Sequence, residues 1–384
     1  MKNFKCDNCT SADLPFVYNP YQSTRGVKVH ICSGCGLVQS LPRIAHVKDR
    51  PRKVTSGAAW GNVRYGKGFI THKSINIISK FCNLNTIENL CDVGANRGSF
   101  INKIHEEFPS LKVTAIEPDV RVIDDYFKHD KLELIFDRVE NVEINPKTFD
   151  FIYSAHTLEH LESPFTTLQK LRKWIKDDGL CYFEVPNLDF INSTDIIEEF
   201  FIDKHTYHYS KKSFYDLIVS AGFEVVKDGE FIDNENITLI CKPSVNKSIN
   251  LKDSDFVKYT TNQLQKYDES FKKNLTALKS ASEKLKLLCA DNNVAFWGAG
   301  RIFDSFVVNG GFEVKSLKAL VDKELPKYVK DMHGKKVLYP SELQNIEIDI
   351  IVIASRAYED EIISEINSMN LTSKVIPYQD LVKI

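Results

Sequence analysis

What this 384-residue chain lacks narrows its nature first. No apolar run is long enough to span a bilayer, and residues 1–7 carry no apolar h-region. A cytoplasmic protein without membrane insertion is expected. No charge sign is in excess: 50 basic against 52 acidic side chains leave −2, so no basic field suits the chain to nucleic acid. Internal repeats and low-complexity segments are absent. With 43% hydrophobic and 27% charged residues the chain can bury real cores, and its length predicts two or three domains.

Cysteine is present, in an odd number, nine. Cys82, Cys91, Cys181, Cys241 and Cys289 stand singly, several inside apolar runs. That usage suits small buried hydrophobes in a reducing compartment. The other four form two pairs, Cys6-x2-Cys9 and Cys32-x2-Cys35. Two such turns supply the four thiolates of a tetrahedral zinc site. Gly34 and Gly36 loosen the second turn. Four cysteines leave no open coordination position, so the ion is expected to be structural; a redox pair or a disulfide is the alternative. Residues 1–42 hold few apolar side chains, so metal binding would supply on the order of 10 kcal/mol of this segment's folding energy.

The middle of the chain alternates strand-like and helical patterns. Strand-like runs at Asn89–Val93, Lys112–Ile116, Leu132–Ile135, Phe149–Ser154 and Leu180–Val185 predict a doubly wound α/β sheet covered on both faces. Ser163-Pro164 opens one helix and Ser210 caps another that stops at Gly222. Phe223–Val226 and Ile237–Cys241 pair as a closing hairpin at the sheet edge. From Asp253 to Ala290 an apolar stripe of Phe256, Tyr259, Leu264, Tyr267, Phe271, Leu275, Leu278, Leu285 and Leu288 predicts one long helix packed between flanking domains. A Rossmann-like unit follows. Val294–Trp297 enters Gly298-Ala299-Gly300, Leu317–Val321 ends at Asp322, and Asp349–Ala354 ends at Ser355-Arg356. The third fingerprint glycine is replaced by Phe303. The expected divisions are 1–42 (zinc-binding segment), 43–75 (basic linker and helix), 76–243 (glycine-turn domain), 244–291 (long helix) and 292–384 (Rossmann-like domain).

One turn in the 76–243 domain concentrates the functional signal. Asp92-Val93-Gly94-Ala95-Asn96-Arg97-Gly98 links a buried strand to a helix expected over Arg97–Phe108. Gly94 and Gly98 have no Cβ, so a ligand can lie against the backbone. Glu117, followed by Pro118, ends the next strand, where an acid can grip two ribose hydroxyls. The spacing is G-x-x-x-G and no Lys-Ser/Thr follows, which argues against a pyrophosphate cradle or a P-loop. The turn resembles motif I of class I methyltransferases that use S-adenosylmethionine (SAM). The resemblance implies a SAM site at Asp92, Gly94, Ala95, Asn96, Gly98, Glu117 and Pro118, joined by Ser154 and His156 after the fourth strand. Asp137 after the third strand either accepts from the adenine amino group or is a plain turn acid.

Ligands of an open α/β sheet sit beyond the carboxyl ends of its strands. Two segments there carry four of the ten histidines: His156-Thr157-Leu158-Glu159-His160, and Asp203-Lys204-His205-Thr206-Tyr207-His208-Tyr209-Ser210. Methyl transfer needs an in-line acceptor and a base for any acceptor proton. Histidine titrates near neutrality, and His205 is the first candidate base. His160, His156, Glu159 and Tyr207 complete the candidate catalytic set, with structural or pocket-lining roles as alternatives.

The whole order of segments resembles the three-domain, zinc-containing sugar C-methyltransferases that act on nucleotide-linked deoxysugars. In that family a Tyr-His-Glu-His run precedes the last helix and its final histidine is the base. That histidine falls on His205, the tyrosine position holds Ile202, and the glutamate position holds Lys204. The family's C-terminal glycine loop continues with Lys-Gly, where this chain has Arg301-Ile302-Phe303. The resemblance implies a small-molecule, nucleotide-sugar acceptor or a surface-polysaccharide precursor, methylated on carbon or oxygen. Arg43, Lys48, Arg50, Arg52, Lys53 and Arg64 either face a diphosphate or form a solvated basic linker. Tyr65, beside Gly66 and Gly68, either covers the methyl or the sugar, or packs. Other readings are a small non-sugar acceptor, a reductase or epimerase using NAD at Gly298–Asp322, and a non-catalytic SAM-binding protein.

Overall fold

The computed structural model describes residues 4–21, 23, 25–43, 69–191, 196, 200–245, 251–327, 329–355 and 358–382, with residues 69, 70 and 121 by backbone alone. The described chain forms two compact units that divide between Gln265 and Lys266, inside the long helix; Ile196 belongs to the second.

The first unit opens with an antiparallel meander of β1 (Phe16–Tyr18), β2 (Lys28–Ile31) and β3 (Val38–Leu41). Helix α1 (Phe69–Ile78) leads into β4 (Asn89–Val93), α2 (Ser99–Glu107), β5 (Lys112–Ile116), β6 (Leu132–Ile135) and β7 (Phe149–Ala155). Then come α3 (Pro164–Trp174), β8 (Ile175–Pro186), β9 (Tyr207–His208), α4 (Lys211–Ser220), β10 (Phe223–Ile232) and β11 (Asn236–Pro243). Seven strands form the main sheet in the order β6-β5-β4-β7-β8-β11-β10. All are parallel except β11, which runs antiparallel between β8 and β10. This is the class I methyltransferase strand order, on an α/β fold. The central strands read as unbroken apolar runs because both faces are covered: Leu90, Cys91 and Val93 are fully buried.

Local signals place the elements. Ser163 Oγ accepts from Thr166 N at 3.2 Å, with Pro164 at the first helical position. Ser210 and Ser213 cap α4 reciprocally. Two departures have physical causes. The turn-like Asp177-Asp178-Gly179 is carried inside β8, absorbed by an irregular register against β7 between Phe149 and Phe151. The β10–β11 hairpin closes the sheet edge as expected, with β10 outermost. The cysteine segment does not stand alone: Val38 and Gln39 of β3 pair with His208 and Tyr207 of β9, so it shares a sheet with the segment after β8.

Helix α5 (Ser254–Asp291) bridges the division. Its stripe is largely buried, including Leu264, Tyr267, Phe271, Leu278 and Leu285, but Tyr259 is exposed. The second unit continues with β12 (Val294–Trp297), α6 (Arg301–Val308), β13 (Ala319–Val321), β14 (Asp331–Met332), β15 (Lys335–Leu338), β16 (Ile350–Ile353), α7 (Glu359–Ser368), β17 (Lys374–Pro377) and α8 (Tyr378–Leu381). Its sheet has the order β14-β15-β13-β12-β16-β17, parallel apart from β14. That is the strand order expected of a Rossmann-like unit.

Candidate active site

In the main sheet the strand order reverses between β4 and β7, so the crevice lies at their carboxyl ends. Gly94 N and Ala95 N donate to Ile116 O at 2.9 and 3.2 Å. Asn96, in the left-handed region, donates from its backbone N to Glu117 Oε2 at 2.8 Å. Glu117 Oε1 accepts from Asp119 N at 2.8 Å. The glycine turn is thereby tied to the acid that follows β5.

The bare faces of the two glycines are used by the protein itself. A Cβ on Gly94 (φ +80) would stand 2.0 Å from Thr157 Oγ1, and one on Gly98 (φ +70) would stand 2.5 Å from the Tyr126 ring. The close approach read from the sequence is therefore, on these faces, an approach by Thr157 and Tyr126. Tyr126 also donates to Asn96 O at 2.6 Å and locks the turn.

Buried polar atoms collect around this crevice. Asp92 is 1% exposed and Ser154 is fully buried. Among the described residues, Asp92 Oδ2 and Ser154 Oγ have no hydrogen-bond partner. Burial, reinforced by the charge of Glu117, pushes the Asp92 carboxyl well above its usual range. Such atoms mark where a polar ligand belongs.

His156, at φ +52, sits just past β7 between two buried acids. Its Nδ1 is 3.5 Å from Glu159 Oε1 and its Nε2 is 3.5 Å from Glu184 Oε1. Burial alone would lower this imidazole, but the two carboxylates outweigh it and raise it to about 10. Glu184 also accepts from Tyr182 Oη at 2.7 Å and Thr238 Oγ1 at 2.6 Å. Ser74 Oγ lies 3.1 Å from both Tyr153 Oη and Tyr182 Oη, and extends this network to α1. Glu184 is a site residue that the sequence expectations do not include. The signal was there: an acid inside the apolar run Cys181-Tyr182-Phe183-Glu184-Val185.

His160 and His205 come together, their ring centres 4.8 Å apart. Thr206 N donates to Glu159 O at 2.7 Å, binding the two histidine segments. His160 Nδ1 donates to Lys204 O at 2.9 Å and His205 Nδ1 to Phe200 O at 2.8 Å. A carbonyl only accepts, so the lone pair of each neutral ring lies on Nε2. Burial lowers His160 and His208 to about 3, and lowers His205 well below its ordinary value with help from Lys204.

These shifts set a pH dependence of stability. Each depressed histidine is neutral when folded, while the unfolded chain takes up a proton below about pH 6.5. Their stabilisation is complete above that pH and is lost as pH falls toward 3. His156 has the opposite sign: its contribution is present below about pH 6.5 and fades as pH rises through about 10. Between pH 6.5 and 5 the three depressed rings lose stability while the raised Asp92 carboxyl, protonated when folded, regains part of it, and the histidines outweigh it. Urea unfolding should lose about 2 kcal/mol over that window. A flat stability there would mean that these rings are not buried.

The cysteines converge. The four Sγ atoms of Cys6, Cys9, Cys32 and Cys35 lie within 4.8 Å of one another, and all four are free thiols. Cys6 Sγ is 3.5 Å from Cys35 Sγ, and Cys9 Sγ is 3.3 Å from Cys32 Sγ. Tetrahedral thiolates about 2.3 Å from zinc stand about 3.8 Å apart, so the donor set fits. Donation from Cys35 pulls the Cys32 thiol down, while donation to Cys32 pushes Cys6 and Cys35 up. Gly36 (φ +72) does more than loosen its turn: a Cβ there would meet the Phe256 ring at 2.6 Å.

Other expectations land elsewhere. Tyr207 is buried in the β3–β9 sheet and donates to Glu162 O at 2.9 Å, within the core cluster that holds Cys6, Cys32 and Cys35. Its position is explained by packing. Pro118 is exposed, and exposed Asp137 accepts from Arg138 N and Asn141 Nδ2, as a turn acid does. Arg43 donates to Lys5 O at 3.0 Å and covers the Tyr207 ring, which is a structural use. Lys48, Arg50, Arg52, Lys53, Arg64, Tyr65, Gly66, Gly68 and Arg356 lie outside the described residues.

In the second unit the dinucleotide features are spent on the fold. A Cβ on Gly298 would stand 2.6 Å from Ala354 O. Asp322, 3% exposed, accepts from Ala299, Glu324 and Leu325 backbone N–H groups. Phe303 fills the core beside Phe296, their ring centres 5.3 Å apart. A ribose-gripping acid must be open to the ligand; Asp322 is not, which weighs against the NAD reading.

Residues 65–228 match a family model described as a methyltransferase domain. This stretch is a class I methyltransferase domain. Residues 290–376 match a second family model, described as C2185-like, N-terminal. No curated protein matches the chain. Among solved structures, a SAM-dependent methyltransferase from Mesorhizobium loti is 9% identical, over 44% of this chain and 96% of its own, at a TM-score of 0.37. One from Aquifex aeolicus is 15% identical, over 45% and 89%, at 0.37. The plantazolicin methyltransferase bound to a desmethylPZN analogue and SAH is 14% identical, over 49% and 90%, at 0.40. Likenesses this weak carry no argument; the strand order and the family match carry the assignment. No described helix of the chain is long and apolar enough to cross a membrane.

Proposed function

We propose that this methyltransferase uses SAM to methylate a nucleotide-linked sugar or surface-polysaccharide precursor in the cytoplasm, with zinc on the four cysteines. The observation that supports a SAM site is the pair of buried, unsatisfied atoms, Asp92 Oδ2 and Ser154 Oγ, at the switch point of the methyltransferase sheet. Asp92, Gly94, Ala95, Asn96, Gly98 and Glu117 would hold the nucleoside, with Pro118 and Asp137 at its outer edge. Bound SAM supplies an electrophilic methyl group. The sugar acceptor is supported by the order of the segments: cysteine segment, methyltransferase domain, long helix and Rossmann-like unit.

On the acceptor side His205 is the candidate base, since its Nδ1–H is held by Phe200 O and its Nε2 carries the lone pair. Glu159 and Glu184 hold His156 between them. SAM and S-adenosylhomocysteine should raise the melting temperature, NAD should not, and a matching nucleoside diphosphate should add to the SAM effect. His205→Ala should keep the S-adenosylhomocysteine shift and lose at least about a hundredfold in turnover. Stabilisation by NAD alone would overturn the SAM reading, and full turnover in the variant would remove His205 from the chemistry.

A further inference from the structure

We propose that Glu159, His160 and His205 bind a second metal ion, a divalent cation of the zinc class, in a site distinct from the cysteine cluster. One carboxylate oxygen and one nitrogen from each ring lie within 4.8 Å of one another. The donor set, two imidazoles and one carboxylate, suits zinc and its first-row neighbours and leaves coordination positions open. A closed four-thiolate site leaves none.

Three features argue for an ion rather than a chance meeting of polar groups. Glu159 is 1% exposed, and among the described residues neither of its carboxylate oxygens has a hydrogen-bond partner. Two buried carboxylates, Glu159 and Glu184, share the single His156 ring between them, so the pair leaves room for one further cation. Both rings are held by Nδ1–H donation to a backbone carbonyl, Lys204 O for His160 and Phe200 O for His205. That is how proteins fix the tautomer and orientation of a metal-binding histidine, with Nε2 as the ligand atom. His160 Nε2 already stands 3.8 Å from Glu159 Oε1. Ligands about 2.1 Å from one ion lie about 3 to 3.5 Å apart, so the site closes with movements of about an ångström.

His156 also lies near Glu159 Oε1, at 3.5 Å, but Glu184 Oε1 is equally close to its other nitrogen. His156 therefore keeps a carboxylate partner when Glu159 turns to the ion. The open positions would take an oxygen of the acceptor, a hydroxyl or a carbonyl; that part rests on the methyltransferase reading above. A nitrogen that holds a metal cannot also take a proton, so the base role proposed above belongs to the protein in which this second site is empty.

The test uses the full chain, saturated with Zn2+ or Co2+, freed of excess and analysed for metal content. Two ions per chain are expected. With Co2+, one ion gives a thiolate charge-transfer band that Cys9→Ser weakens, and the other gives only ligand-field bands. Glu159→Gln, His160→Ala and His205→Ala should each weaken Co2+ binding at the second site at least about tenfold. All three should keep the thiolate band, which reports that the fold survives. One ion per chain in the unmodified protein overturns the proposal. So does a second ion that persists unchanged in all three variants. S-adenosylhomocysteine binding, measured on the same samples, separates the two readings. Its presence with a single ion sinks the metal site alone; its absence with two ions sinks the SAM site alone.

Discussion

Gly94→Ala should destabilise the first unit by about 3 kcal/mol and weaken S-adenosylhomocysteine binding at least tenfold. Two costs add. Alanine at φ +80 pays about 1 kcal/mol for the left-handed backbone. Its Cβ would also stand 2.0 Å from Thr157 Oγ1 and 2.9 Å from Thr157 Cγ2. Thr157 cannot swing away cheaply, because its hydroxyl donates to Val93 O at 3.0 Å and sits over the end of β4. Relief must come from the backbone of residues 94–96, whose amide groups are set by Ile116 O and Glu117. A melting temperature about 8 °C lower is expected for a unit of this size. Adding Thr157→Ala should recover most of the overlap part, since only its Cβ remains, at 3.0 Å, and leave the backbone part. A Gly94→Ala protein that melts within about 2 °C of the parent would show that Thr157 does not occupy this space.

Cys9→Ser or Cys32→Ser should cost the most stability of any single change. Each removes one of four thiolates whose sulfurs lie within 4.8 Å of one another. A structural zinc site contributes on the order of 10 kcal/mol to a small segment that cannot bury a core of its own. The expected result is loss of one zinc per chain and early melting of the β1–β3 meander, seen as fast amide exchange there. The damage should spread. Asp7, between the first two cysteines, accepts from Phe165 N at 2.8 Å and caps α3. Ser40 N donates to Thr206 O at 2.8 Å, and Ser40 Oγ lies 2.8 Å from His208 Nε2. Turnover should therefore fall although no cysteine touches the crevice. Metal analysis that finds no zinc, in a protein whose cysteine variants melt unchanged, would remove the ion.

Much of the fold is legible along the chain. The strands at Asn89–Val93, Lys112–Ile116, Leu132–Ile135 and Val294–Trp297 fall where apolar runs and turn residues place them. The caps at Ser163 and Ser210 follow from local hydrogen bonding alone. β8 was harder, because Asp177-Asp178-Gly179 carries turn composition and only pairing with β7 draws it into the strand. Tyr207 was misleading for a related reason. Histidines stand close by at 205 and 208, but pairing with β3 buries its ring in the core. Tyr259 fits the helical period and is still exposed, since period says which face a residue shares and not whether anything covers it.

Sequence by itself determined the element types, pointed to the class of cofactor and singled out the four paired cysteines, because periodicity, capping, glycine turns and CxxC spacing are local. Only the tertiary structure decided which side chains meet. It set Thr157 and Tyr126 against the two glycines and closed Glu184 onto His156. It also brought His205 beside Glu159 and His160, from a segment more than forty residues away. Contacts of that kind depend on strand order and loop placement, which hydrophobic pattern does not encode one residue at a time.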